Sequence, residues 1–277
     1  MRNLCLSLVL SVIVVGVWQA NPAFAGAWTS GQGHMYNKFA LNYFKSARQY
    51  DDDGDSHKLP FNGCFQDFNL NWYEEYGLKD NINLITSVYY KWLTDENRYI
   101  ENKSHGISDM DVGIKYNLVK TPVVVSVQGL FKFEGPYDMK DVPSLGNGQN
   151  DFELRLLLGK SMEKLPIYFG LEAGYRWRFE DPSDEWRLLL EVGGSYDDFY
   201  GRIKLDSIIS ARNANDRDIM SVTNISMTPQ FDLTKLDMTL GYNIDKKWSV
   251  ECSYTPTIYG ENTTSGYTLS AAVIFSF

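Results

Sequence analysis

The chain has 277 residues, 14% of them aromatic with 18 Tyr and 7 Trp, and a formal charge of −9. That length admits one large domain or two ordinary ones. The acidic balance leaves no basic footprint for nucleic acid, and the aromatic content is high for a soluble enzyme.

Residues 1–25 read as an export signal. Arg2 gives a positive start, "LCLSLVLSVIVVGVW" an apolar run, and Ala23 with Ala25 a small-residue cleavage site. The run is short for an uncleaved anchor, so cleavage after Ala25 is expected, leaving Gly26 as the new start. No later run reaches the roughly 18 apolar residues of a membrane-spanning helix. The mature chain keeps only Cys64 and Cys252, too few for a disulfide framework, and no bridge between them is expected.

From residue 35 onward the dominant pattern is apolar and polar alternation with period two. Twelve such segments lie near 35–46, 65–77, 82–94, 108–118, 122–134, 150–161, 166–180, 184–197, 199–212, 233–244, 247–259 and 266–277. In "SDMDVGIKYNL", for example, Met110, Val112, Ile114 and Tyr116 alternate with Asp109, Asp111, Gly113 and Lys115. Most connections alternate short and long. The short ones are 78–81, 119–121, 162–166, 197–198 and 245–247; the long ones are 47–64, 95–107, 135–149 and 213–232. Brief connections near 181–183 and 260–265 are exceptions. The stretch 218–231 could be a thirteenth strand, but Pro229 favours a loop.

An even strand count, with tight turns at one end and longer loops at the other, predicts an all-β fold. The form is an antiparallel up-and-down transmembrane β-barrel of twelve strands over 26–277. Soluble sandwiches also alternate, so three further features decide. Trp92, Trp177 and Trp186 lie beside the long loops, and Tyr116, Tyr196, Tyr242 and Trp248 beside the tight turns. These form two aromatic belts, as where ring bodies meet lipid and polar tips meet headgroups. The terminus "YTLSAAVIFSF" puts Tyr267, Leu269, Ala271, Val273, Phe275 and Phe277 on one parity. It resembles the C-terminal signal read by the outer-membrane barrel assembly machinery. Finally, lipid offers backbone groups no hydrogen-bond partners, so the last strand must pair with the first; "MYNKFALNYFK" supplies that partner.

With the strands placed, the central region resembles a family of outer-membrane barrels associated with the phenol meta-cleavage degradation pathway. The resemblance rests on Leu145, Gly146, Gly148, Gln149, Asp151, Glu153, Arg155, Gly159, Lys160 and Ser161. "GAWTSGQGHMYNKFALNYFKS", "EYGLKDNINL" and "YGENTTSG" also look like that family. Glu261 departs from it, standing where a basic residue is expected. The resemblance implies a twelve-stranded barrel and hints at aromatic solutes.

Chemistry is expected on the lumen-facing parity. The candidates are Arg155, Glu153, Glu172, Arg176, Arg178, Arg187, Asp109, Asp111 and Lys115. Acids and bases on this parity nearly balance, whereas a pore selecting one ion sign concentrates one sign at its constriction. The pattern therefore predicts a salt-bridged interior, and beside it a polar pathway for small solutes. Structural pairing of the four arginines with Glu153 and Glu172 is favoured over anion binding.

"DDDGDSHK" (51–58) suggests a calcium loop, but its glycine is misplaced and Asn62 stands where the bidentate Glu belongs. It reads as an acidic surface loop able to meet divalent cations held by lipopolysaccharide. Mature histidines are only His34, His57 and His105, in no spacing that makes a catalytic triad. No cofactor, metal or enzymatic activity is expected, and the expected partners are membrane lipid, lipopolysaccharide, the assembly machinery and an unnamed solute. Two functions stand open: a channel for small solutes in the outer membrane, or an accessory barrel with a plugged lumen acting in envelope or surface-polymer assembly.

Overall fold

The computed structural model describes residues 26–180, 182–214 and 228–277. The export signal lies outside them, as does most of 218–231; its described part, 228–231, is not strand. The strands are β1 (Met35–Tyr50), β2 (Ser56–Lys58), β3 (Cys64–Lys79), β4 (Ile82–Glu96), β5 (Glu101–Val119), β6 (Val124–Phe133) and β7 (Asp151–Ser161). They continue with β8 (Ile167–Arg178), β9 (Glu185–Tyr196), β10 (Phe199–Ser210), β11 (Asp232–Asn243), β12 (Trp248–Glu261) and β13 (Thr263–Ser276).

Among the described residues, twelve of these form one closed antiparallel barrel. Each pairs with its neighbours in sequence, and β13 pairs with β1 from Tyr36↔Ser276 to Tyr50↔Thr263. Closure satisfies the backbone of both would-be edges, which a lipid surround requires. The thirteenth strand, β2, is a three-residue flap on the end of β1, with His57 opposite Gln49.

The alternation was read in the right phase, but several strands run longer than the periodicity suggests. The expected loop 95–107 is a four-residue hairpin, because β4 and β5 stay paired out to Glu96↔Glu101. The expected connection 260–265 shrinks to Asn262, which takes a φ of 50°. Rim residues there are polar on both faces, so they carry no period-two signal although the backbone ladder continues.

Outward side chains form an apolar band. Leu154, Leu156, Leu171, Leu190, Ile203 and Leu240 are all about half exposed, an arrangement fit for lipid and not for water. Aromatic clusters flank the band. Trp177 contacts Phe152 and Tyr175 at the long-loop end, and Trp248 contacts Phe275 at the turn end. The interior is correspondingly polar. Among the described residues its one cluster of buried apolar residues is small: Ala27, Val124 and Leu157, with Trp28 against them.

Candidate functional site

The lumen is the site. In β7 the inward positions are Asp151, Glu153, Arg155, Leu157 and Gly159, and the outward ones are Phe152, Leu154, Leu156 and Leu158. The same parity puts Glu172, Arg176 and Arg178 inward on β8, and Glu185 and Arg187 inward on β9. Antiparallel pairing then sets acids beside bases, with Glu153 opposite Arg176 and Asp151 opposite Arg178.

These groups line up as one ladder of charges across five strands, in two ion-paired sets. Lys132 lies 3.2 Å from Asp109 and 3.0 Å from Asp151. Arg176 donates through Nε to Glu153 at 2.8 Å, and Arg155 spans Glu153 at 2.5 Å and Glu172 at 2.6 Å. Arg178 and Arg187 both pair with Glu185. The ladder holds five acids and five bases, so it presents no net sign. Taking such groups out of water costs about as much as their attraction returns. Its physical role is therefore to fix the wall's shape more than to stabilise it. Asp111 shares this face, yet its buried Oδ1 has no hydrogen-bond partner among the described residues.

Two more clusters lie toward the turn end. Glu251 accepts both guanidinium arms of Arg202, at 2.7 and 2.9 Å, and the Lys38 ammonium at 2.6 Å. Beside it Lys204 reaches Glu191 at 2.9 Å. Lys115 and Glu75 form a 2.7 Å pair whose side chains are 1% and 3% exposed.

That last pair anchors an insert. Residues 26–34 turn into the barrel mouth. Lys115 donates to the Gly26 carbonyl at 2.9 Å, Ser126 to the Ala27 carbonyl at 2.5 Å, and Asn83 to Ser30 Oγ at 2.9 Å. The Trp28 ring lies over Gly159, where a Cβ would stand 2.7 Å from it, and meets Tyr168 edge-on at 5.7 Å. Glycine at 159 is thus what lets the indole reach the wall.

A second insert lies at the loop end. Residues 134–150 fold against β4 and β5. The Leu145 carbonyl accepts from Lys91 at 3.1 Å and from Ser108 at 2.5 Å, and Tyr137 donates to Asp109 at 2.5 Å. Burial and the Asp109 hydrogen bond push the Tyr137 phenol well above its usual range. Gly146 packs where a Cβ would meet the Tyr137 hydroxyl, and Gly148 has a φ of 67°. The residues that carried the family resemblance thus build this insert and the start of the ladder.

All nine sequence candidates lie on lumen-facing positions. Eight enter ion pairs, and Asp111 does not. Period-two reading missed Glu185 and Glu251, which share the inward parity and are central acceptors. It also missed the inward tyrosines Tyr36, Tyr168 and Tyr200, because an aromatic side chain carries no polar signature in an alternation. Of the histidines, His57 pairs with Asp51 at 2.7 Å on the outer flap. His105 lies in β5, not on a loop, and stands opposite Trp92 on the outer face. Ser104 and Ser108 turn the other way, toward the 134–150 insert. Cys64 and Cys252 are both free. Glu261, at odds with the family pattern, accepts from Arg212 at 2.6 Å.

No protein-family model matches the sequence, and no curated protein matches it. Solved structures do. An outer membrane channel from Pseudomonas putida F1 superposes with a TM-score of 0.72 at 13% identity, covering 94% of this chain and 100% of that one. The NanC porin follows at 0.52 and 12% identity, with 86% and 98% covered. The KdgM porin gives 0.50 at 9% identity, with 86% and 99% covered. At such identities the likeness is one of fold: a barrel of the outer-membrane kind. Nothing in it bears on phenol degradation.

Proposed function

We propose that this protein is an outer-membrane channel passing small solutes through a narrow, charge-balanced lumen. The observation that carries the reading is how the inserts are held in the lumen. Both are held largely by polar contacts around Lys115, Ser126, Lys91 and Ser108, with only the small cluster of Ala27, Val124 and Leu157 packed apolar beside the inner one. A polar interior is common to open and plugged barrels; what a pathway needs is constrictions lined by groups that solutes can replace. The nearly even charge disfavours strong selection for ions of either sign.

Small aromatic solutes are the class we favour. Trp28 and Tyr168 meet at the inner insert, and Tyr36 and Tyr73 pack edge-on at 6.2 Å on the wall opposite. Such faces can stack against a ring while their polar edges hydrogen-bond a hydroxyl. The family resemblance around 145–161 points the same way. Placement in the bacterial outer membrane after signal cleavage is supported by the apolar band and its aromatic flanks. Delivery by the assembly machinery is supported by the alternating β13 that ends at Phe277.

The accessory-barrel reading keeps one observation in its favour, the ion-paired ladder of charges from Asp109 to Arg187. Single-channel recording of the chain from Gly26 to Phe277 in a planar bilayer separates the two. Discrete ohmic steps support the channel, and their block by millimolar phenol supports aromatic solutes. A silent bilayer, with gel mobility confirming a closed barrel, would leave the accessory role in front.

A further inference from the structure

The outer wall carries a feature that neither solute passage nor barrel closure uses. Across β7 to β10 the lipid-facing surface is indented into a groove of about 560 Å³, within the roughly 300–1,000 Å³ of small-molecule sites. Phe169, Leu171, Leu190, Val192 and Ile203 form its sides. Gly159 and Gly170, paired across β7 and β8, lie at its floor. There the wall is bare backbone, with Trp28 packed on its inner side at Gly159. A convex barrel surface has no need of such a hollow.

The groove is not uniformly apolar: Glu191 and Lys160 also line it, the Glu191 carboxylate turned to the lumen where Lys204 and Tyr168 hold it. Lys160 lies where β7 runs out toward the tight turns, and its ammonium donates to the Pro122 carbonyl at 2.7 Å. Exposed Lys120 and Lys164 stand in the two adjoining turns, Lys164 next to Glu163 and Lys120 donating to the Asp80 carbonyl at 3.2 Å. A long apolar slot at acyl-chain depth, ending in a cation at headgroup level, matches one kind of molecule. Apolar tail and anionic head are related there as in a phospholipid, with lysine drawn to phosphate near the surface.

We propose that this groove binds one phospholipid of the inner leaflet, an acyl chain lying over Gly159 and Gly170 and the phosphate meeting Lys160. The site rests on the outer-membrane placement proposed above, with the tight turns on the periplasmic side, and is independent of whether the lumen conducts.

Native mass spectrometry of the detergent-extracted protein tests it, with phosphatidylglycerol and, as a headless control, diacylglycerol as probes. The wild type should hold one phosphatidylglycerol after the micelle is stripped, and no diacylglycerol. Lys160→Gln should lower the retained fraction about fivefold, the worth of one lysine near a lipid phosphate. Leu190→Trp should abolish retention by filling the slot. Leu240→Trp, on the lipid-facing side of β11 and away from the groove, should bind as wild type does. Heat-modifiable gel mobility checks that each variant is closed. The proposal is overturned if the wild type retains no phospholipid, or if Leu240→Trp loses it equally. Retention indifferent to Lys160, or retention of diacylglycerol or toluene in its place, would make the groove an unselective apolar surface and overturn it as well.

Discussion

Removing Lys115 tests the barrel's inner end most sharply. Lys115 and Glu75 are almost wholly buried and 2.7 Å apart. Among the described residues, Glu75 is otherwise held by Asn83 at 2.8 Å and the Tyr73 hydroxyl at 2.6 Å. Lys115→Met keeps the stem's volume and strands the Glu75 carboxylate without its cation. Breaking a buried pair from one side costs about 3–5 kcal/mol. With a urea slope of about 2 kcal/mol/M, the unfolding midpoint should fall by about 2 M. Pairing it with Glu75→Gln removes both charges, so the double variant should recover much of the loss. The cycle should then return a coupling of about 2 kcal/mol or more. Because Lys115 also holds the Gly26 carbonyl, the single variant should conduct more than wild type. Urea titration in lipid vesicles, followed by tryptophan fluorescence, reads the first effect and planar bilayers the second. An unchanged midpoint, together with coupling indistinguishable from zero, would refute the assignment of this pair as the anchor.

Other expectations follow from the same geometry. Gly159→Val should expel Trp28 from the wall, since even a Cβ there would lie 2.7 Å from the indole; conductance should rise and the Trp28 emission shift red. Gly146→Ala should push the 134–150 insert off Tyr137 and Asp109, making that segment the first site cut by trypsin at Lys140 while the barrel stays closed. Arg202→Met leaves Glu251 only Lys38 as a cation, and a loss of roughly 3 kcal/mol or more in the same titration is expected. On the outer flap, amide groups of Asp55 and Asp53, with His57, hold the Asp51 carboxyl below the usual value of 3.8, the Asp55 amide contributing most. A depressed carboxyl favours the folded turn above the unfolded pKa and loses that contribution as pH falls through the folded one. The Asp55 amide resonance should therefore titrate with a midpoint under 3.8, and Asp51→Ala should abolish that step.

The amino-acid sequence by itself determined the barrel. Period two is a local property of extended backbone, so Leu154, Leu156 and Leu158 declare a lipid face without reference to any other strand. Belt residues such as Trp177 and Trp248, and the partnership of the first and last strands, were legible for the same reason. Register is not local. That Arg155 bridges Glu153 and Glu172, and that Glu185 takes both Arg178 and Arg187, depends on how adjacent strands slide past one another. Strand parity alone gives the face and leaves the partner open. The two inserts were hidden more deeply. Segments 26–34 and 134–150 have no periodicity, because their carbonyls are satisfied by lysine and serine side chains from distant strands. Only tertiary structure could bring Lys115 to Gly26, 89 residues away, and so decide what narrows the lumen at its inner end.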